Sequence, residues 1–452
     1  MDEFYKSDEE RKVTTADLTR NEIVASDRCL LRPMYMRLLS AFQGFAKEEI
    51  VKATLDLYKV MHNREINLTE IEWNIIIEQL RTIIEDDAFN TFVKSKALGI
   101  IEKIILIEKD KFIVDIVQFT KSLVSIAVTN NKLFIPVFKV FAVFFPLSED
   151  SARTFTETVN LPDLTEHVVK MNTKYIVLTI KILDIISQLL KNVPNSTIYM
   201  LTTKYLTAVE KDCNELLKTY IVINAISNAI NTNDDIISHK ELLDRLFDCT
   251  LSYGSNNDKK NLLNLWEKLL NYSNGQYGLN FIRKFNLFLL ESNLITPIIE
   301  FYTRVLHYYT IYTFIQETEL VTYFIQHSDR YTTHRKRSIL LFICEYIKYS
   351  TDSETEKLIE NYVIKTVFEL CVCGEGNIII FEEVLLLLKS IFDFGIRNRE
   401  ENVFTILKDQ ITGSDILTTI ENFAASFEDG KDGIIKKIEE VIESYKSVFF
   451  EL

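Results

Sequence analysis

Thiols and imidazoles are the side chains best suited to covalent or metal chemistry, and in this chain their spacing serves neither. Cysteine occurs at Cys29, Cys213, Cys249, Cys344, Cys371 and Cys373. Only the last two fall close together, and a C-x-C pair without a second pair or a nearby histidine is a weak metal signal. Reduced thiols in a reducing compartment are the favoured reading. His62, His167, His239, His307, His327 and His334 form no HxxxH or HxH spacing. No nucleophile elbow, phosphate loop or paired-carboxylate motif occurs. The sequence therefore predicts no enzyme, no cofactor and no metal site.

What recurs along the chain is an element. Long apolar helix-like runs open at Lys132, Lys174, Lys218, Lys260, Lys336 and Ile378, in steps of 42, 44, 42, 76 and 42 residues. The long step is close to two shortened ones of 38. A period near 40 residues marks stacked-helix solenoids of the armadillo or HEAT kind, which present extended binding surfaces. The runs cover Lys174–Lys191, Glu215–Ile230, Lys260–Tyr272, Arg335–Tyr349 and Ile378–Phe394, the last ending at Gly395. Each is apolar almost all round, as a helix sandwiched between neighbours must be. Asn, Asp, Ser and Gly at the breaks cap helices or permit positive φ. Shorter amphipathic stretches, His239–Thr250 and Glu356–Cys371, lie between the long runs. One long and one or two shorter helices per step match the armadillo unit. Ile182, Ile186, Ile226, Leu265, Leu341, Leu386 and Ile438 are predicted core residues, because each lies within a long apolar run.

Composition agrees. Of 452 residues only 11 are glycine and 6 proline, while 47% are hydrophobic. A chain of helices joined by short polar breaks needs few glycines or prolines. The most apolar stretch, Leu133–Leu147, contains Lys139 and is too short to span a bilayer. The acidic, polar N-terminus carries no signal-peptide core, so a soluble intracellular protein is expected. The net charge of −14 is wrong for nucleic acid and right for a partner of basic peptides. His334-Arg335-Lys336-Arg337 is the one basic knot and reads as the polar start of a long helix.

In this register the chain resembles the importin-α family, armadillo adaptors of nuclear import. The likeness rests on Ile378–Phe394, then Ile416–Phe423, Asp429-Gly-Lys-Asp and Ile434–Tyr445 near the C-terminus. It rests also on Leu189–Val209 and Val222–Asp235 in the middle. It implies an all-α, right-handed superhelical armadillo solenoid of about nine or ten repeats over residues 38–447. Residues 1–37 would be a flexible tail with a degenerate importin-β-binding segment, and 448–452 a C-terminal tail.

The function implied is binding of basic nuclear localisation signals on protein cargo and their linkage to importin-β, in cytoplasm and nucleus. A nuclear export receptor is a further implied partner; nucleic acid and membrane are not. Candidate importin-β contacts are Arg11, Lys12, Arg20 and Arg28. At the positions matching the family's cargo groove stand Asp184 and Gln188, then Asn224 and Asn228, then Trp266 and Asn271. Side-chain amides can bond an extended peptide backbone, and a spacing of four keeps a pair on one side of its helix. The family stacks lysine stems between indoles paired with Asn four residues on, whereas neither Trp73 nor Trp266 has such an Asn. A scaffold that kept the fold and lost signal recognition is therefore the alternative.

Overall fold

The computed structural model describes residues 33–63, 73–107, 116–191, 193–211, 218–290, 293–371, 378–398, 402–412, 418, 420 and 431–450. Among these residues every regular element is a helix. The chain forms two compact units that divide between Ala229 and Ile230. The sequence pointed to one solenoid over residues 38–447; each unit holds one ladder of stacked helices.

Unit 1 holds α1 (33–43), α2 (Lys47–Asn63), α3 (Trp73–Glu85), α4 (Thr91–Ile107), α5 (Ile116–Thr129) and α6 (Asn131–Phe144). It continues with α7 (Glu149–Thr158), α8 (Leu161–Val168), α9 (Thr173–Leu190), α10 (Asn195–Lys211) and α11 (Thr219–Ala229). Five of them, α2, α4, α6, α9 and α11, pack each on the next as a ladder. The other helices lie against the ladder, α3 on α4, α5 on α6, α7, α8 and α10 on α9. Caps set the rungs: Asn130 and Asn172 accept from the backbone N–H of Lys132 and Lys174, at 3.1 Å each. The core includes a phenylalanine cluster. Phe141 stacks on Phe145 at 4.8 Å, and Phe155 of α7 meets both edge-on.

Unit 2 holds α12 (Asn233–Ser238), α13 (Lys240–Tyr253), α14 (Asn256–Tyr272), α15 (Leu279–Asn286), α16 (Ile295–Val305), α17 (Tyr309–Glu317) and α18 (Leu320–Gln326). Then come α19 (Thr333–Tyr349), α20 (Asp352–Glu360), α21 (Val363–Cys371), α22 (Ile378–Arg397), α23 (Asn402–Thr412) and α24 (Lys431–Phe450). Its ladder is α14, α16, α19, α22 and α24. Helix α16 falls inside the 76-residue step and splits it, with starts at Asn256, Ile295 and Thr333. Capping boxes open three helices, through Thr232 with Asp235, Ser255 with Asp258 and Thr351 with Glu354.

Several expectations need correction. The stretch Glu356–Cys371 is two helices, because Tyr362 takes a positive φ of 63° between α20 and α21. Gly395 does not end α22, which runs to Arg397. Its missing side chain makes room for α23: a Cβ there would meet Leu407 Cδ2 at 2.4 Å. Helix α1 begins at residue 33, inside the segment assigned to a tail, and Arg37 pairs with Asp56 of α2 at 3.2 Å. Helix α24 likewise continues to Phe450, past the expected boundary at 447.

Ile182, Ile186, Ile226 and Leu265 are buried as predicted. Leu341 and Ile438 are only half-buried, and Leu386 is 39% exposed. All three lie on the ladder helices of unit 2. Such a helix is covered by its two ladder neighbours and by the shorter helices, and its remaining face stays open.

Candidate functional site

The open side of the unit 1 ladder is built from residues that point away from the shorter helices. From α2 it takes Tyr58 and His62, from α4 Gly99, Glu102 and Lys103, and from α6 Pro136 and Lys139. Lys181, Asp184 and Gln188 follow on α9, and Asn224 and Asn228 on α11. Lys218 stands at the start of α11. An open cleft of about 330 Å³ lies across α2, α4 and α6, with His62, Glu102, Lys103 and Lys139 in its walls. Its floor depends on Gly99, where a Cβ would stand 2.7 Å from the Tyr58 ring. Tyr58 stacks on His62 at 3.9 Å, and Lys96 Nζ lies 4.0 Å from the Tyr58 ring centre. The His62 Nδ1–H donates to the Tyr58 carbonyl at 3.2 Å, leaving Nε2 as an acceptor in the neutral ring.

The charges on this face share one field. Burial raises the Glu102 carboxyl above its ordinary value, while Lys139, Lys181, Lys103 and Lys218 pull it back down without cancelling the rise. Burial also lowers the Lys181 ammonium, Lys218 lowers it further, and Glu102 opposes both. For His62 burial again lowers the value, the bond to Tyr58 raises it, and Lys103, Lys96 and Lys139 lower it. Among the described residues Lys103, Lys139, Lys181 and Lys218 make no ion pair. The face therefore carries excess cations on a chain of net charge −14.

The unit 2 ladder is different, because several of its charges pair from one helix to the next. Glu267 of α14 pairs with Arg304 of α16 at 2.8 Å, and Lys348 of α19 with Glu383 of α22 at 2.6 Å. Glu382 and Lys389 of α22 pair with Lys437 and Glu440 of α24. Glu300 of α16 accepts from the Ser338 hydroxyl of α19 at 3.3 Å. These rungs hold neighbouring helices in register.

The candidate cargo residues divide in two. Asp184, Gln188, Asn224 and Asn228 do share the open side of unit 1, and Asn228 Nδ2 donates to Asp184 Oδ1 at 2.9 Å. Asp184 is thus already engaged by a neighbouring helix. Trp266 is a correction: it is fully buried, stacks on Phe285 and Phe301 at 5.2 and 4.9 Å, and donates from Nε1 to the Tyr277 carbonyl at 3.0 Å. An indole so enclosed cannot flank a lysine stem. Asn271 is exposed and accepts from the hydroxyl of Tyr308, which lies between α16 and α17. Arg11, Lys12, Arg20 and Arg28 lie outside the described residues, as do the Cys373 side chain and the Trp73 side chain at the start of α3. Cys249 and Cys344 are buried and form no disulfide.

The lysine row escaped the sequence reading, although a signal was present. Lys139 and Lys181 stand at the same place, two turns beyond the first lysine of the runs opening at Lys132 and Lys174. Total charge masked them, since the sum over the chain has the opposite sign.

No protein-family model and no curated protein matches the chain. A solved structure described as a "Circular tandem repeat protein with novel repeat topology and enhanced subunit contact surfaces" is similar at 12% identity. The similarity covers 94% of this chain and 98% of that one, at a TM-score of 0.24. The class of protein is defined by the packing itself: an all-α protein whose helices stack as repeats. Among the described residues no helix is long and apolar enough to cross a membrane.

Proposed function

We propose that this chain is a protein-interaction scaffold whose unit 1 ladder receives an extended polypeptide segment on its open side. The observation that carries the reading is the continuous polar row across five stacked helices, ending in the exposed amides of Gln188, Asn224 and Asn228. Amides can give and accept backbone hydrogen bonds without regard to sequence, which suits a strand lying across a helix stack.

The adaptor reading is the second one: basic localisation signals bound on the same face and passed to importin-β. It is favoured by the amides at the positions that match the family's groove. Against it stand the buried Trp266 and the unpaired lysines of the same face, which repel a basic peptide. Titrating a fluorescent lysine-rich signal peptide separates the two. The scaffold reading predicts a Kd weaker than about 1 mM, near −4 kcal/mol. Micromolar or tighter binding would restore the adaptor and overturn the scaffold.

A further inference from the structure

We infer that the segment held on the unit 1 ladder is acidic, with carboxylates spaced to meet Lys103, Lys139, Lys181 and Lys218, an inference that rests on the scaffold reading. These lysines come from α4, α6, α9 and the start of α11, consecutive steps of one ladder, and none is paired among the described residues. Lys103 and Lys139 line the open cleft together with His62 and the half-buried Glu102. Unit 2 differs in that Glu267, Lys348 and Glu382 of its ladder pair with charges on the next ladder helix.

Spacing then sets the partner. Packed helices lie about 8–10 Å apart and a chain extended as polyproline II rises about 3.1 Å per residue with three residues per turn, so about three residues pass each helix and every third side chain faces the ladder. An acidic side chain at every third position would meet one lysine per helix. Between those positions the backbone lies against the amides of Gln188, Asn224 and Asn228. Nucleic acid fits less well. Its phosphates follow without interruption and would meet Glu102 and Asp184, whereas a peptide can place neutral residues there. The net charge of −14 opposes a long polyanion, but salt screens it beyond about 10 Å and leaves the local lysines dominant.

The test uses the full chain and a labelled peptide of about twelve residues built from Ser-Val-Glu repeats. Three companions share its length: one with Gln for Glu, one with Lys for Glu, and a single-stranded DNA oligonucleotide. Fluorescence anisotropy is read at low and moderate salt. The Glu peptide is expected to bind at least about tenfold tighter than the others, because three or four exposed pairs act together. Added salt should weaken it. Lys139→Glu with Lys181→Glu should abolish the preference at unchanged helicity, and Glu102→Gln, which removes a repulsive carboxylate, should tighten binding. If the double variant misfolds, the Glu102→Gln result decides. Equal binding of the Glu and Gln peptides overturns acidic selectivity and leaves the scaffold reading standing. Tighter binding of DNA overturns it in favour of nucleic acid. Failure of every probe overturns both readings, and tightest binding of the Lys peptide overturns both in favour of the adaptor.

Discussion

At the scale of single residues, Glu102 is the most informative side chain of the open face. It is half-buried on α4, facing Lys139 from α6 and lying beside His62 and Tyr58 from α2. Burial raises its carboxyl despite the four surrounding lysines. At pH above the folded value the group is ionised in both folded and unfolded chains, and the desolvation penalty is fully present. As pH falls through the folded value the proton returns and the penalty disappears. Glu102→Gln should therefore raise the melting temperature by about 1–3 °C at pH 7.5, with the gain shrinking toward pH 4.5. A lower melting temperature for the variant at pH 7.5 would mean that attraction to the lysines outweighs burial. Residue-level chemistry was only half legible in the sequence. The amide row could be read from its spacing of four. The cations could not be recognised as a site, because a lysine in an apolar run looks like any solvated position until stacking aligns it with three others.

At the scale of elements, period and polar breaks located most of the ladder helices, since both are local properties. The errors fall where tertiary contact overrules a local signal. Gly395 looked like a helix end and is a point of close approach instead. The apolar stretch through Glu356–Cys371 hid a break because the strained residue is Tyr362, not glycine. Leu386 looked like core and is exposed, since no local signal tells which side of an all-apolar helix a neighbour will cover. Gly395→Ala tests this view. Alanine improves helix propensity by about 1 kcal/mol, while overpacking against the fully buried Leu407 costs about 1–3 kcal/mol. A net loss of stability is expected in urea unfolding, and Leu407→Ala in the same chain should cost less than it does alone. A gain of stability for Gly395→Ala would show that α22 and α23 are not in close contact there.

At the scale of the whole molecule, two stacks built on one architecture use their open sides differently. In unit 2 several ladder charges pair from helix to helix, while in unit 1 Lys103, Lys139, Lys181 and Lys218 make no ion pair among the described residues. Summed composition concealed this division, and no count of residue types could have shown it. The central claim is that the unit 1 ladder, and not the rest of the chain, is the binding surface. Hydrogen–deuterium exchange of the full chain with and without saturating Ser-Val-Glu peptide tests it most directly. Stable helix cores exchange slowly in either state, so a bound segment should register mainly where ladder helices fray and open. The account predicts added protection in peptides covering 58–62, 99–106, 135–139, 181–188 and 218–228. Protection confined to residues 256–412, or spread evenly over both units, would contradict it.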